Sequence, residues 1–226
     1  MQQHRLAEIN TKAIPKTLSA GDRIVVPSEH WDNLQKRDPA EICNLALAQL
    51  ETTGDIRLRV LNTDFLIHPQ NRSIRAMARE RSILIRDPLL ELITVVYLIY
   101  ITSAPLRHER AGLKDLKSAH FFQGPHELET GSFLERYGND AAGFRKVAGQ
   151  LGGRFISSTA DAGVVFSPFP KVLLYYLLWE GDEEFKPRLS VLFDRSIEDH
   201  FAADFIWALV GCVTRILLNP SPPFER

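Results

Sequence analysis

Between Glu180 and Asp204 the chain carries eight carboxylates: Glu180, Asp182, Glu183, Glu184, Asp194, Glu198, Asp199 and Asp204. Only Lys186, Arg188 and Arg195 interrupt them. Clustered carboxylate oxygens are what hard divalent cations take as ligands. A hairpin tip facing a strand-end aspartate would supply them, so Trp179, Asp182, Glu183, Glu184 and Asp194 form the candidate functional cluster, with the indole as a rigid apolar wall. The same residues also have local structural uses. Asp182 suits a turn, Asp194 a strand end, and Glu198 and Asp199 a helix start. The structural reading is the heavier one, and no metal site is assigned.

A second cluster is basic. Residues 72–86 hold five arginines and one glutamate. Arg72, Arg75 and Arg79 share a face if the segment is helical, and guanidinium groups suit phosphate or carboxylate. They are candidate anion-binding residues, weighed against a solvated face or a set of partners for the acidic turn. The histidines at 108, 120, 126 and 200 show no His-x-x-x-His spacing. His200, beside Asp199 and Asp204, has the weakest claim to a metal, because spacing constrains it so little. Gly-x-Ser-x-Gly and phosphate-cradling glycine loops are missing from the sequence, so neither nucleophilic catalysis nor nucleotide binding is indicated. No cofactor is implied.

The rest of the composition narrows the classes. A chain of 226 residues with 45% hydrophobic and 24% charged residues is an ordinary globular length and mixture. Such a chain buries about 70% of its unfolded surface and needs no disulfide or metal to hold a core. The formal net charge of −1 supplies no overall field for nucleic acid or anionic lipid. Cys43 and Cys212 are the only cysteines, each inside an apolar pattern. That predicts buried free thiols and a reducing, cytoplasmic setting. The N-terminal residues do not form a signal peptide. The most apolar run, Leu89 to Ile101, falls short of the ~20 residues that span a bilayer, so it predicts a buried helix and no membrane partner.

The elements that must position these residues follow from local signals. Residues 1–36 read as an arm with a short strand at Arg23 to Val26. Asp38-Pro39-Ala40-Glu41 starts a helix through Leu50, ended by Gly54. Ile56 to Val60 and Phe65 to His68 alternate around an Asn-Thr-Asp turn and predict a hairpin. Asp87-Pro88 starts the apolar helix. Ser132 to Leu151 reads as a helix that Gly138 can divide. Gly163 to Pro170, Lys171 to Trp179 and Arg188 to Phe193 read as strands, the second apolar on both faces and therefore central. Ser196 to Asp199 has capping-box spacing, and a last helix runs from about Ala202 to Leu218. Two strand clusters with helices between them predict an α+β fold, with antiparallel hairpins in a mixed or antiparallel sheet packed by several helices. The expected organisation is a single domain over 1–226, with an arm at 1–36, a core at 38–218 and a loose tail at 219–226.

Three segments carry a resemblance. Phe169-Pro170-Lys171-Val-Leu-Leu, Leu178-Trp179-Glu180-Gly181-Asp182-Glu183-Glu184-Phe185 and Leu192-Phe193-Asp194-Arg195-Ser196-Ile197-Glu198 occur in that order. Together they resemble the most recognisable part of a prokaryotic domain-of-unknown-function family numbered 3786, over roughly residues 38–218. The resemblance implies an anaerobic bacterial or archaeal setting. Some members are joined to cysteine-rich segments or lie near corrinoid proteins, whereas this chain has no such segment. The resemblance implies no catalytic residues.

The expected function is an accessory or binding module without its own catalysis, with a protein as the partner class. The alternatives are a carboxylate-based metal-assisted hydrolase and a structural protein-interaction module. They differ in whether Asp182, Glu184 and Asp194 converge, since an enzyme needs several carboxylates in one pocket.

Overall fold

The computed structural model describes residues 26–78, 81–84 and 87–220. The expected strand at Arg23 to Val26 falls almost wholly outside them. Immediately after it, Ser28–Gln35 forms helix α1, which buries Trp31 and Leu34. The arm therefore ends in a core-packed helix. Its apolar residues are too few and too widely set to have shown a period.

Helix α2, Pro39–Ala46, begins as expected: Asp38 Oδ1 accepts the Ala40 amide and Pro39 takes the first turn. It ends sooner than expected. Leu47 adopts the left-handed conformation (φ 55°) as the C-cap, and Leu50 belongs to a short strand. Leu47 and Leu50 are exposed, so they do not extend an apolar face.

Five strands follow in meander order: β1 (Gln49–Leu50), β2 (Ile56–Val60), β3 (Thr63–His68), β4 (Ser73–Ala78) and β5 (Arg81–Leu84). Each pairs antiparallel with the next. β2 and β3 form the expected hairpin, with Ile56, Leu58, Val60, Phe65 and Ile67 buried on one face. The arginine-rich segment is the correction here. It forms the extended β4–β5 pair, so Arg72 and Arg75 share no helical face; Arg79 lies outside the described residues. The alternation Ile74-Arg75-Ala76, buried-exposed-buried, is a strand pattern that the charge density masked.

Helix α3, Pro88–Tyr100, is the apolar helix, and nine of its thirteen residues are buried. Asp87 Oδ1 caps it through the Leu89 and Leu90 amides. α1 and α2 pack on it from one side. No helix among the described residues is long and apolar enough to cross a membrane.

A second antiparallel sheet has the order β6-β10-β9-β8-β7. Its strands are β6 (Arg110–Ala111), β7 (Arg154–Phe155), β8 (Ala162–Phe169), β9 (Val172–Trp179) and β10 (Arg188–Asp194). β9 is central, as its two-faced apolarity predicts: Val172, Leu174, Tyr176 and Leu178 enter the main core, while Leu173 and Tyr175 form a small cluster on the other face with Val165. Between β6 and β7 lie α4 (Gly131–Tyr137) and α5 (Ala141–Gln150), divided at Gly138 as its position allows. Helix α6, Ala203–Leu218, closes the fold, packing on α3, α4 and α5. One contiguous apolar core draws on both sheets and on all six helices of the described residues. The architecture is α+β, with helices packed on two antiparallel sheets.

Candidate functional site

The acidic residues do not converge. Glu180 to Pro187 link β9 to β10 at one end of the sheet, and Asp194 ends β10 at the other. A seven-residue strand rising ~3.3 Å per residue separates them by about 20 Å. The loop itself is built for local order. Asp182 Oδ1 accepts the amides of Glu184 (2.8 Å) and Phe185 (2.6 Å), and the Asp182 amide donates to the Phe185 carbonyl. Glu180 Oε1 accepts the Ala141 amide at 2.8 Å and so steadies the start of α5. A Cβ at Gly181 would stand 2.7 Å from Pro187 Cδ, so only glycine lets the loop close on itself. Trp179 is covered by the Arg188 guanidinium, 3.9 Å above its ring. Glu183 and Glu184 stand exposed beside them.

Asp194 is 1% exposed and serves the opposite end as an anchor. Its carboxylate accepts the amides of Arg107, His108 and Ser196 and the Ser196 hydroxyl. Burial would raise its proton affinity, but these four donors outweigh that and hold it below the usual carboxylate range. Asp194, not Ser196, is thus the cap of the 3-10 turn Arg195–Asp199. Glu198 repeats the device by accepting the Lys117 and Ser118 amides and the Ser118 hydroxyl. The Phe-Asp-Arg-Ser-Ile-Glu segment is a pair of carboxylate clamps on the irregular strap between α3 and α4.

Arg72, in the turn between β3 and β4, bonds Asp32 of helix α1 at 2.6 Å and not the acidic loop. Arg75 lies in β4 opposite Leu66 and Leu84. His200 is fully buried: its Nδ1 lies 3.2 Å from Thr102 Oγ1 and its Nε2 has no hydrogen-bond partner among the described residues. Burial, and after it the Lys171 ammonium, pushes its imidazole down to about 4. Lys171 Nζ donates to the Thr102 carbonyl at 2.6 Å. Among the described residues no three His, Cys, Asp or Glu side chains come together to hold a metal ion. Cys43 and Cys212 are free and buried, as expected, and burial raises both thiols, Cys212 to about 12.

Sequence reasoning overlooked a groove of about 680 Å³ along α6. Trp207, Gly211, Arg215 and Leu218 form its floor at helical spacing, Leu89 of α3 flanks them, and Pro125 with residues 127–130 makes the facing wall. The Trp207 indole N–H donates to the Glu127 carbonyl at 3.3 Å, which ties the wall to the helix. His126 is wedged between Phe121, stacked at 4.3 Å, and the Trp207 ring edge at 5.9 Å. Arg215 is held by Asp87 at 2.5 Å. Gly211 is exposed in mid-helix, and a Cβ there would meet nothing within 4 Å. The signal was present in the sequence: a tryptophan and a glycine on the face of α6 opposite its core residues.

The fold and its paired antiparallel sheets define an α+β domain with helices on the sheets, not a doubly wound nucleotide-binding one. The chain belongs to the family described as a domain of unknown function, DUF3786, whose model matches residues 38–216. No curated protein and no solved structure matches it.

Proposed function

We propose that the chain is a binding module, accessory to other proteins and without catalysis of its own, whose ligand seat is the groove along α6. The observation that carries this reading is Gly211. A glycine in a helix interior costs roughly 1 kcal/mol against alanine. Among the described residues nothing in the packing requires it, because an added methyl would meet no atom within 4 Å. A body lying in the groove and approaching the helix backbone would require it. The groove's volume falls within the ~300–1,000 Å³ of ligand pockets, and its lining is largely apolar with a few polar groups, as such pockets are. The metal-assisted hydrolase alternative loses its basis with Asp182 and Asp194 at opposite ends of β10. The continuous core, which takes in Trp31 and Leu34 of α1 together with residues 38–218, favours a single domain, and the two free thiols favour the cytoplasm.

The test is fluorescence titration with the neutral apolar probe N-phenyl-1-naphthylamine. Wild type should bind it saturably at one site, with quenching of tryptophan emission. Gly211→Leu should fill the floor and abolish binding while the melting temperature stays level or rises. A wild type with no saturable binding overturns the proposed seat.

A further inference from the structure

We propose that the groove takes a ligand with an apolar body and one cationic end: an amine, an alkylammonium or a guanidinium compound. This rests on the groove being the ligand seat and adds the charge of what sits there.

Three features of the site agree on that sign. Among the described residues Arg215 is the one basic side chain lining it, and its charge is cancelled by Asp87 at 2.5 Å. The facing wall presents Glu127 and Glu129, so the lining and its immediate partners sum to −2: two glutamates and one aspartate against one arginine. Glu129 spends one oxygen on the Ser132 amide at 3.2 Å, which fixes the carboxylate at the rim without neutralising it. Next, the last turn of α6 lines the groove, and a helix C-terminus carries partial negative charge that favours cations. Third, Trp207 offers an indole ring whose N–H is already committed to Glu127, so the ring is held in place as a surface for a cation. An anionic ligand would instead have to break the Arg215–Asp87 pair and sit beside both glutamates.

The experiment uses the full chain at pH 8 and low salt, where histidine, with an ordinary pKa near 6.5, is neutral. Octylammonium, octanol and octanoate share one alkyl chain and compete against bound N-phenyl-1-naphthylamine. Octylammonium should displace the probe at a concentration roughly five-fold below octanol, the worth of a favourable exposed charge contact, and octanoate should be the weakest. Glu127→Gln with Glu129→Gln should bring octylammonium to octanol's level. Octanol matching octylammonium in wild type, or octanoate binding best, overturns the charge inference and leaves the seat standing. Absence of probe binding overturns the seat itself. A Phe224→Ser full chain that binds the probe several-fold more tightly, or a dimer that Gly211→Leu dissociates, makes the chain's own end or a second copy the occupant and overturns the proposal.

Discussion

Asp194 accepts the backbone amide of Arg107 at 3.0 Å across 87 positions of sequence. With the His108 amide at 2.6 Å, this one carboxylate ties the strap after α3 to the end of β10. Hydrogen bonds to a charged acceptor contribute about 1.5–3 kcal/mol, and a buried donor left without a partner costs more. Asp194→Ala, which orphans the donors, should therefore lower unfolding stability by about 3 kcal/mol, read from urea midpoints. Because the folded-state affinity for a proton is depressed, this stability is present above the ordinary aspartate range near 3.9 and is lost as pH falls through the folded value. Asp194→Asn should flatten that acid limb. An Asn variant with wild-type acid sensitivity would show that the clamp is not the cause.

His200 sets a second pH window with its own sign. The unfolded chain takes a proton near 6.5, whereas the folded chain refuses it until about 4. Stability from His200 is thus complete above about 6.5 and lost as pH falls from 6.5 toward 4, by on the order of 3 kcal/mol. His30, lowered by burial, acts in the same direction; Glu91 and Asp204, raised by burial, act in the opposite one. Comparing wild type with His200→Asn, which can keep a hydrogen bond to Thr102, isolates the histidine. The variant should show a shallower slope between pH 6.5 and 4.5, smaller by close to one proton. Equal slopes would mean that His200 titrates normally in the fold.

Local signals carried most of the elements because they act over a few residues. Asp38-Pro39 and Asp87-Pro88 cap helices in the structure as their spacing requires, and β9 is central because neither face is polar. What sequence could not place was decided at long range. The carboxylates at 180–184 and 194 look adjacent along the chain, but the straight run of β10 holds them apart. The arginines at 72–81 look helical until Ile74 and Ala76 are seen buried against β3. The groove depends on Leu89, Leu128 and Trp207 meeting from three distant segments, and no spacing rule brings those together.

Leu174 lies across from Phe166 on β8 and Phe193 on β10, and it is wholly buried. Leu174→Ala should cost about 3 kcal/mol, the transfer loss plus a cavity between two rings. Leu174→Asp should not fold, since no partner for a carboxylate lies among these side chains. Both are read by circular dichroism melting. A cooperatively melting aspartate variant would contradict the placement of β9 at the centre of the sheet.

The acidic loop should respond to its own amides, not to added cations. Asp182 already gives Oδ1 to two backbone donors, and Glu183 and Glu184 point into water, where like charges are screened. Asp182→Ala, which removes the acceptor, should cost about 1 kcal/mol, while Asp182→Asn, which keeps it, should cost under about 0.5 kcal/mol. Millimolar magnesium, calcium or manganese should leave the wild-type melting temperature unchanged within about 1 °C, because a site that binds only the folded chain would raise it through mass action. The arginines offer no substitute through Arg72, which is paired to Asp32 of α1; Arg72→Ala should leave the Asp182→Ala effect untouched, with the two changes additive. A metal-induced rise of several degrees that vanishes in Asp182→Asn with Glu184→Gln would restore the loop as a cation seat. A rise that persists in the double variant would place the ion elsewhere on the chain.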